Sequence, residues 1–208
     1  MELKKLGNSD LKVSPYCLGT MTFGEATNEH ESHKQIEKSL NAGINFFDTA
    51  ELYPTCPLRA ETAGDTERII GRWLIRNKSY RQKIVLASKV VGKGYKPIRN
   101  GEPINPKAMR KALEDSLQRL KTDYIDLYQL HWPNRGSYHF RQNWNYDPTN
   151  QKTKEELNDI HEILEQLNKF VVEGKIRTIG LSNETAWGLM QFIQKSKELN
   201  LPKVVSIQ

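Results

Sequence analysis

From residue 16 onward, short apolar runs alternate with longer stretches in which apolar residues recur every three or four positions. The runs are Tyr16 to Gly19, Ile44 to Phe47, Ile84 to Ala87, Ile125 to Leu130, Ile176 to Leu181 and Val204 to Ile207. Most lack polar alternation, as expected for parallel strands covered on both faces. The intervening stretches predict amphipathic helices. Met109, Leu113, Leu117 and Leu120 form one stripe, opened by Asn105-Pro106 as N-cap and first helical residue. Leu157, Ile160, Leu164, Leu167 and Val171 form another, opened by the capping-box spacing of Thr153 and Glu156 and closed by Gly174. Further helices are predicted over about 29–42 before Gly43, about 66–78 after Asp65, and about 185–199 with Asn183 as a competent N-cap. Ahead of this series, Leu3 to Leu6 and Leu11 to Val13 flank a turn at Gly7-Asn8-Ser9-Asp10, which predicts a small hairpin.

Strand, helix and strand repeated in this order give parallel neighbours through right-handed crossovers, so the fold class is α/β. A doubly wound sheet and a (β/α)8 TIM-type barrel both satisfy the pattern. The first predicts a Gly-x-Gly-x-x-Gly after the first strand, and none is present. The barrel predicts polar residues at the C-terminal ends of several strands. Gly19-Thr20, Asp48, Lys89, His131, Ser182-Asn183 and Gln208 occupy those positions. Six strands are counted where a barrel has eight, so the expectation is one domain, 1–208, holding an incomplete barrel with a hairpin at one end.

Composition narrows the classes. Of 208 residues, 37% are hydrophobic and 27% charged, a balance suited to a packed globular domain. The net charge of +6 is scattered among Glu on predicted helical faces, which argues against a nucleic-acid stripe. No apolar stretch is long enough for a membrane span, and no signal-type segment follows Met1, so a cytoplasmic protein is expected. Cys17 and Cys56 lack metal-ligand spacing and read as reduced thiols, and no metal site is expected. His30, His33, His139 and His161 read as surface or loop residues.

The segments Asp48-Thr49-Ala50-Glu51-Leu52-Tyr53, Ala87-Ser88-Lys89 and Gln129-Leu130-His131-Trp132-Pro133 carry the chemistry. A buried Asp48–Lys89 ion pair, a loop tyrosine and a core histidine would each be unremarkable alone. Together, on successive strand ends, they form a constellation. In type, order and position Asp48, Tyr53, Lys89 and His131 resemble the catalytic tetrad of the aldo-keto reductases. Leu18-Gly19-Thr20-Met21-Thr22-Phe23-Gly24 and Gly180-Leu181-Ser182-Asn183 also resemble that family, in particular its Tas-like bacterial branch.

The resemblance implies an oxidoreductase that reduces an aldehyde or ketone with hydride from NADPH. Tyr53 would be the general acid, Lys89 the cation that lowers its pKa, Asp48 the partner of Lys89, and His131 the group orienting the carbonyl oxygen. It implies that Gly19, Thr20, Asp48, Ser182, Asn183 and Gln208 bind the cofactor, the last three holding the nicotinamide carboxamide. It also implies that phosphate-holding groups belong to the seventh and eighth units, so the chain reads as C-terminally truncated. Self-association through open sheet edges is then expected. The alternative is an inactive relative or non-enzymatic interaction subunit. Loops over about 92–104 and 134–152 rise on the same face, the second with Tyr138, Phe140, Trp144 and Tyr146 as candidate substrate contacts.

Overall fold

A computed structural model describes residues 1–139 and 142–208. Strands β1 (Lys4–Lys5) and β2 (Lys12–Val13) form an antiparallel hairpin. The rest alternates: β3 (Cys17–Gly19), α1 (Glu29–Asn41), β4 (Phe46–Asp48), α2 (Asp65–Arg76), β5 (Val85–Val90), α3 (Pro106–Leu120), β6 (Ile125–Leu130), α4 (Thr153–Val172), β7 (Ile176–Leu181), α5 (Ala186–Glu198) and β8 (Val204–Ile207). Strands β3 to β8 pair in chain order, all parallel, in one six-stranded sheet. The sheet is a curled half-barrel, matching the incomplete (β/α)8 barrel expected.

Side-chain alternation divides the sheet into two faces. Phe47, Leu86, Val90, Tyr128, Leu130, Ile179 and Leu181 point outward into the main core, where helices cover them. Phe46 and Val85 point inward and pack with Leu6, Leu11 and Val13 of the hairpin, which plugs the N-terminal end. Lys89 stands four residues beyond Val85, on the same inner face but at the opposite end. The hairpin thus closes one end of the sheet while the chemistry gathers at the other.

Caps explain most helix boundaries. Asn28 accepts from Glu31 N at the start of α1, and Asn105 from Ala108 N at the start of α3. Three differ from the sequence expectation. Helix α4 starts from Lys152 without a side-chain cap, so the Thr153 capping box does not form, and Glu155 and Glu156 compensate the helix dipole instead. The N-cap of α5 is Thr185, accepting from Gly188 N at 3.1 Å, and not Asn183. Asp65 lies inside the first turn of α2, after Gly64 at φ +85°. Strand β5 runs on through Ser88, Lys89 and Val90, because Ala87 to Val90 all find partners on β6. Lys89 is therefore held on rigid sheet and not at a loop edge.

Helices α2 and α3 pack closely at Gly71, where a Cβ would collide with the Arg119 carbonyl. Gly71→Ala is expected to destabilise the fold by about 1–3 kcal/mol, the range for overpacking. A lower denaturation midpoint with unchanged slope would verify it.

Candidate active site

Asp48 ends β4, Lys89 lies on β5, and Gln129, in register with Lys89, lies on β6. The Lys89 ammonium is fully buried and spends its three protons on Asp48 Oδ2 at 2.6 Å, the Thr49 carbonyl at 2.9 Å and Tyr53 Oη at 3.2 Å. Gln129 Nε2 donates to Asp48 Oδ1 at 3.1 Å, and Gln208 Nε2 to Asp48 Oδ2 at 3.3 Å. Three donors therefore fill most of the roughly four acceptor positions of the carboxylate. A buried charge is tolerable only when paired and hydrogen-bonded in this way.

Tyr53 leaves β4 on a short loop whose end is fixed by α2: Gly64 N and Thr66 N both donate to its carbonyl, at 3.0 and 3.4 Å. Its ring meets His131 edge-on, with centroids 5.6 Å apart. His131 itself follows β6, its N–H donating to the Val90 carbonyl at 2.9 Å. The four tetrad candidates are thus linked in contact, Asp48 through Lys89 to Tyr53 and Tyr53 to the His131 ring.

Electrostatics depart from one expectation. Desolvation raises the Tyr53 phenol above its ordinary value of 10.0; Lys89 pulls it down, as expected, while Asp48 raises it further. Burial outweighs the nearby cation, so the net shift is upward and the phenol keeps its proton at neutral pH. His131 is driven well below 6.5, first by burial and then by Lys89 and His139, so its ring is neutral. Burial also lowers His139.

Folded-state pKa values below the unfolded value mean that the unfolded chain binds more protons as pH falls through 6.5, so stability rises with pH in that window. For His131 the slope approaches about 1.4 kcal/mol per pH unit below its unfolded pKa. Denaturant unfolding from about pH 5 to 7 should show this slope, and His131→Gln should remove the His131 share and leave that of His139; an unchanged slope in the variant would refute the assignment.

The cofactor candidates are brought to the same end of the sheet. Ser182 is buried, and Asn183 adopts a left-handed φ of +53°. The Asn183 amide nitrogen donates to the His131 carbonyl at 2.9 Å and to Ser182 Oγ at 3.0 Å, which commits both of its hydrogens. Its backbone N–H donates to the Gln208 carbonyl at 2.9 Å, so the three residues form one unit. Gly19 is in register with Asp48, and a Cβ there would meet nothing within 4 Å, so open space adjoins the carboxylate. Thr20 is buried, with its hydroxyl donated to the Asp48 carbonyl at 2.7 Å, a contact that ties β3 to β4.

A cavity of about 590 Å³ opens onto Tyr53 and His131. Among the described residues of loop 134–152, His139 and Gln142 line its wall. Tyr138 and Tyr146 pack on each other and Trp144 is exposed, none lining the cavity, and Phe140 lies outside the described residues. The sequence reading of His139 as a surface or loop residue therefore missed its place beside Trp132 in the pocket. A concavity of about 630 Å³ between α2 and α3 holds Arg68, Arg72 and Arg119, each already paired with a carboxylate, and carries no comparable acid–base set.

The sequence reading also passed over Gln129, Glu51 and Arg99. Gln129 could have been found from strand alternation, being two residues before His131 and thus on the same face. Glu51 and Arg99 pair across two loops, at 2.6 and 2.8 Å, a contact without local signature. Cys17 and Cys56 are free thiols. Among the described residues there is no metal-ligand cluster and no helix long and apolar enough to cross a membrane.

A parallel β/α half-barrel with a buried lysine–carboxylate pair, a tyrosine and a histidine on successive strand ends has the layout of a barrel enzyme's catalytic face. The sequence matches the Aldo/keto reductase family over residues 15–208, and the chain belongs to that family. It is 43% identical to Protein tas of Escherichia coli, over 100% of this chain and 59% of that protein. It is 37% identical to the uncharacterized oxidoreductase YrpG of Bacillus subtilis, over 92% of this chain and 52% of that one. Among solved structures, the holo form of aldo-keto reductase AKR11C1 from Bacillus halodurans superposes with a TM-score of 0.72 at 31% identity, covering 100% of this chain and 56% of that one. The chain thus spans somewhat over half the length of these relatives.

Proposed function

We propose that this chain carries the acid–base half of an NADPH-dependent carbonyl reductase site, acting on an aldehyde or ketone. The contact that carries this reading is Lys89 Nζ at 3.2 Å from Tyr53 Oη and 2.6 Å from Asp48 Oδ2. Reduced nicotinamide, when bound, supplies the hydride. Tyr53 donates its phenolic proton to the carbonyl oxygen as negative charge develops there. Because Lys89 already donates to the phenol oxygen, the phenol's own hydrogen is directed outward, and the tyrosinate left behind is stabilised by that ammonium. Asp48, with Gln129, holds the ammonium in place. Neutral His131 orients the carbonyl oxygen against Tyr53.

The residues at the mouth fit the nicotinamide end of the cofactor. Ser182, the Asn183 oxygen and the Gln208 amide offer acceptors and a donor to a carboxamide, and the space over Gly19 beside Asp48 leaves room for the molecule. Thr20 acts through Asp48 by fixing the strand ends. The free thiols suit a cytoplasmic protein. The test follows loss of reduced-nicotinamide absorbance with a panel of aldehydes and ketones. The portion of Tas outside the matched region is fused to this chain for the assay. NADPH-dependent turnover is expected, and its absence from a folded, cofactor-binding fusion would refute the reading.

A further inference from the structure

Beyond the end of β4 the backbone continues the parallel ladder with β5: Thr49 N donates to the Ala87 carbonyl at 3.0 Å, and Glu51 N to the Lys89 carbonyl at 3.2 Å. The next donor on the β5 side, Val91 N, is met by a side chain instead, donating to Glu51 Oε1. The Glu51 carboxylate thus takes the place of a backbone that has turned away. Tyr53 follows two residues later. Glu51 therefore marks the point at which the chain leaves the sheet and brings the Tyr53 ring over the Lys89 ammonium, 4.7 Å from it.

A carboxylate only 4% exposed needs a paired cation, and Arg99 supplies it from the loop after β5. Its guanidinium binds both oxygens of Glu51, at 2.6 and 2.8 Å, and donates to the Val91 carbonyl at 3.1 Å. The backbone that delivers it is strained: Arg99, Asn100 and Gly101 run at φ +46°, +54° and +74°, a left-handed stretch that only the glycine adopts freely. Such strain persists where surrounding contacts over-determine it, and it concentrates at functional sites. A turn whose one task was to join β5 to α3 would not need it.

We infer that Glu51 and Arg99 are positioning residues: they set the exit of the β4–α2 loop and thereby hold the Tyr53 hydroxyl on the Lys89 ammonium. This rests on the reductase reading above and extends it to residues that act through Tyr53. The Tyr53 carbonyl is already fixed by Gly64 N and Thr66 N at α2, so Glu51 completes the hold from the β4 side. A displacement of about 1 Å at a reacting group can cost about 10²-fold in rate, so the 3.2 Å contact between Lys89 and Tyr53 is sensitive to how the loop leaves β4. Glu51 carries the geometry, and Arg99 makes its buried charge tolerable.

The test uses the Tas fusion. Glu51→Gln keeps the size and removes the charge; Arg99→Lys keeps the charge and loses the two-pronged contact, so it serves if the first variant does not fold. Each is expected to lower kcat about tenfold with KM for the carbonyl nearly unchanged, because the position of the acid matters in the transition state. Gly71→Ala, destabilised between α2 and α3, should leave kcat of the folded molecules unchanged and controls for lost stability. The deciding measurement repeats both substitutions in Tyr53→Phe: with no hydroxyl left to position, the further loss should shrink to within about twofold. A loss of about tenfold that persists in Tyr53→Phe, or parental kcat in both folded variants, overturns the positioning role and leaves carbonyl reduction standing. A folded, cofactor-binding parent fusion that does not turn over defeats the reductase reading and this inference with it.

Discussion

Replacing Tyr53 by phenylalanine is expected to slow carbonyl reduction by about 10²–10⁴-fold, the usual contribution of a positioned general acid, while cofactor affinity stays nearly unchanged. The substitution deletes one oxygen and keeps the ring, which lies against His131 and 4.7 Å from the Lys89 ammonium. Lys89 loses one of its three acceptors but retains Asp48 and the Thr49 carbonyl, so the buried ion pair persists. The proton is needed mainly as the alkoxide forms, so its loss appears in kcat and kcat/KM together. The raised phenol pKa does not weaken this argument: the group is fully protonated at working pH, and Lys89 stabilises the product anion. Single-turnover kinetics in the Tas fusion would measure the effect. Turnover within about threefold of the parent would assign the acid elsewhere, since a general acid contributes far more.

The legible parts of this molecule were those with a local signature. Buried β5 and β6 were read from the mainly apolar runs Ile84 to Ala87 and Ile125 to Leu130, and Asn105-Pro106 fixed the start of α3 because both side chains act within one turn. Asp48, Lys89 and His131 were legible because a parallel barrel places the ends of successive strands on one face. Strand register was harder. Whether Lys89 ends β5 or lies within it depends on the partners that β6 provides, which no residue of β5 announces. The capping box at Thr153 failed for a related reason, as acidic residues in the same turn satisfy the helix start without the hydroxyl.

Long-range pairing was least legible. Glu51 and Arg99 are 48 residues apart and meet only because two loops fold over one strand end. The direction of the Tyr53 shift was misjudged for the same reason. A sequence names the lysine that lowers the pKa, whereas the desolvation that outweighs it comes from the packing of several elements. Asn183 shows the reverse case: two roles were open, and its left-handed backbone and amide contacts placed it beside Ser182, with Thr185 doing the capping.

As an isolated 208-residue polypeptide, the protein is expected to bind NADPH weakly and to self-associate. Strands β3 and β8 are the outer strands of the sheet and each presents an unpaired edge, the feature through which sheets join other chains. Beside β8, helix α5 exposes Trp187, Met190 and Ile193 at three-residue spacing, and Ile207 on the strand is also exposed. Burying these exposed apolar side chains would favour association with a second copy. For the cofactor, the candidates named above are Gly19, Thr20, Asp48, Ser182, Asn183 and Gln208, none of them cationic. Charge-assisted hydrogen bonds to phosphate contribute roughly 1.5–3 kcal/mol each, so a site without several of them binds orders of magnitude more weakly. The net charge of +6 does not substitute, because diffuse attraction is screened over about 8 Å at physiological salt. Calorimetric titration with NADPH, and light scattering at several protein concentrations, test both halves. Assemblies that grow with concentration and binding too weak to saturate in the micromolar range are the expected result, whereas a monodisperse monomer with low-micromolar affinity would show that six strands and an amide-binding corner suffice.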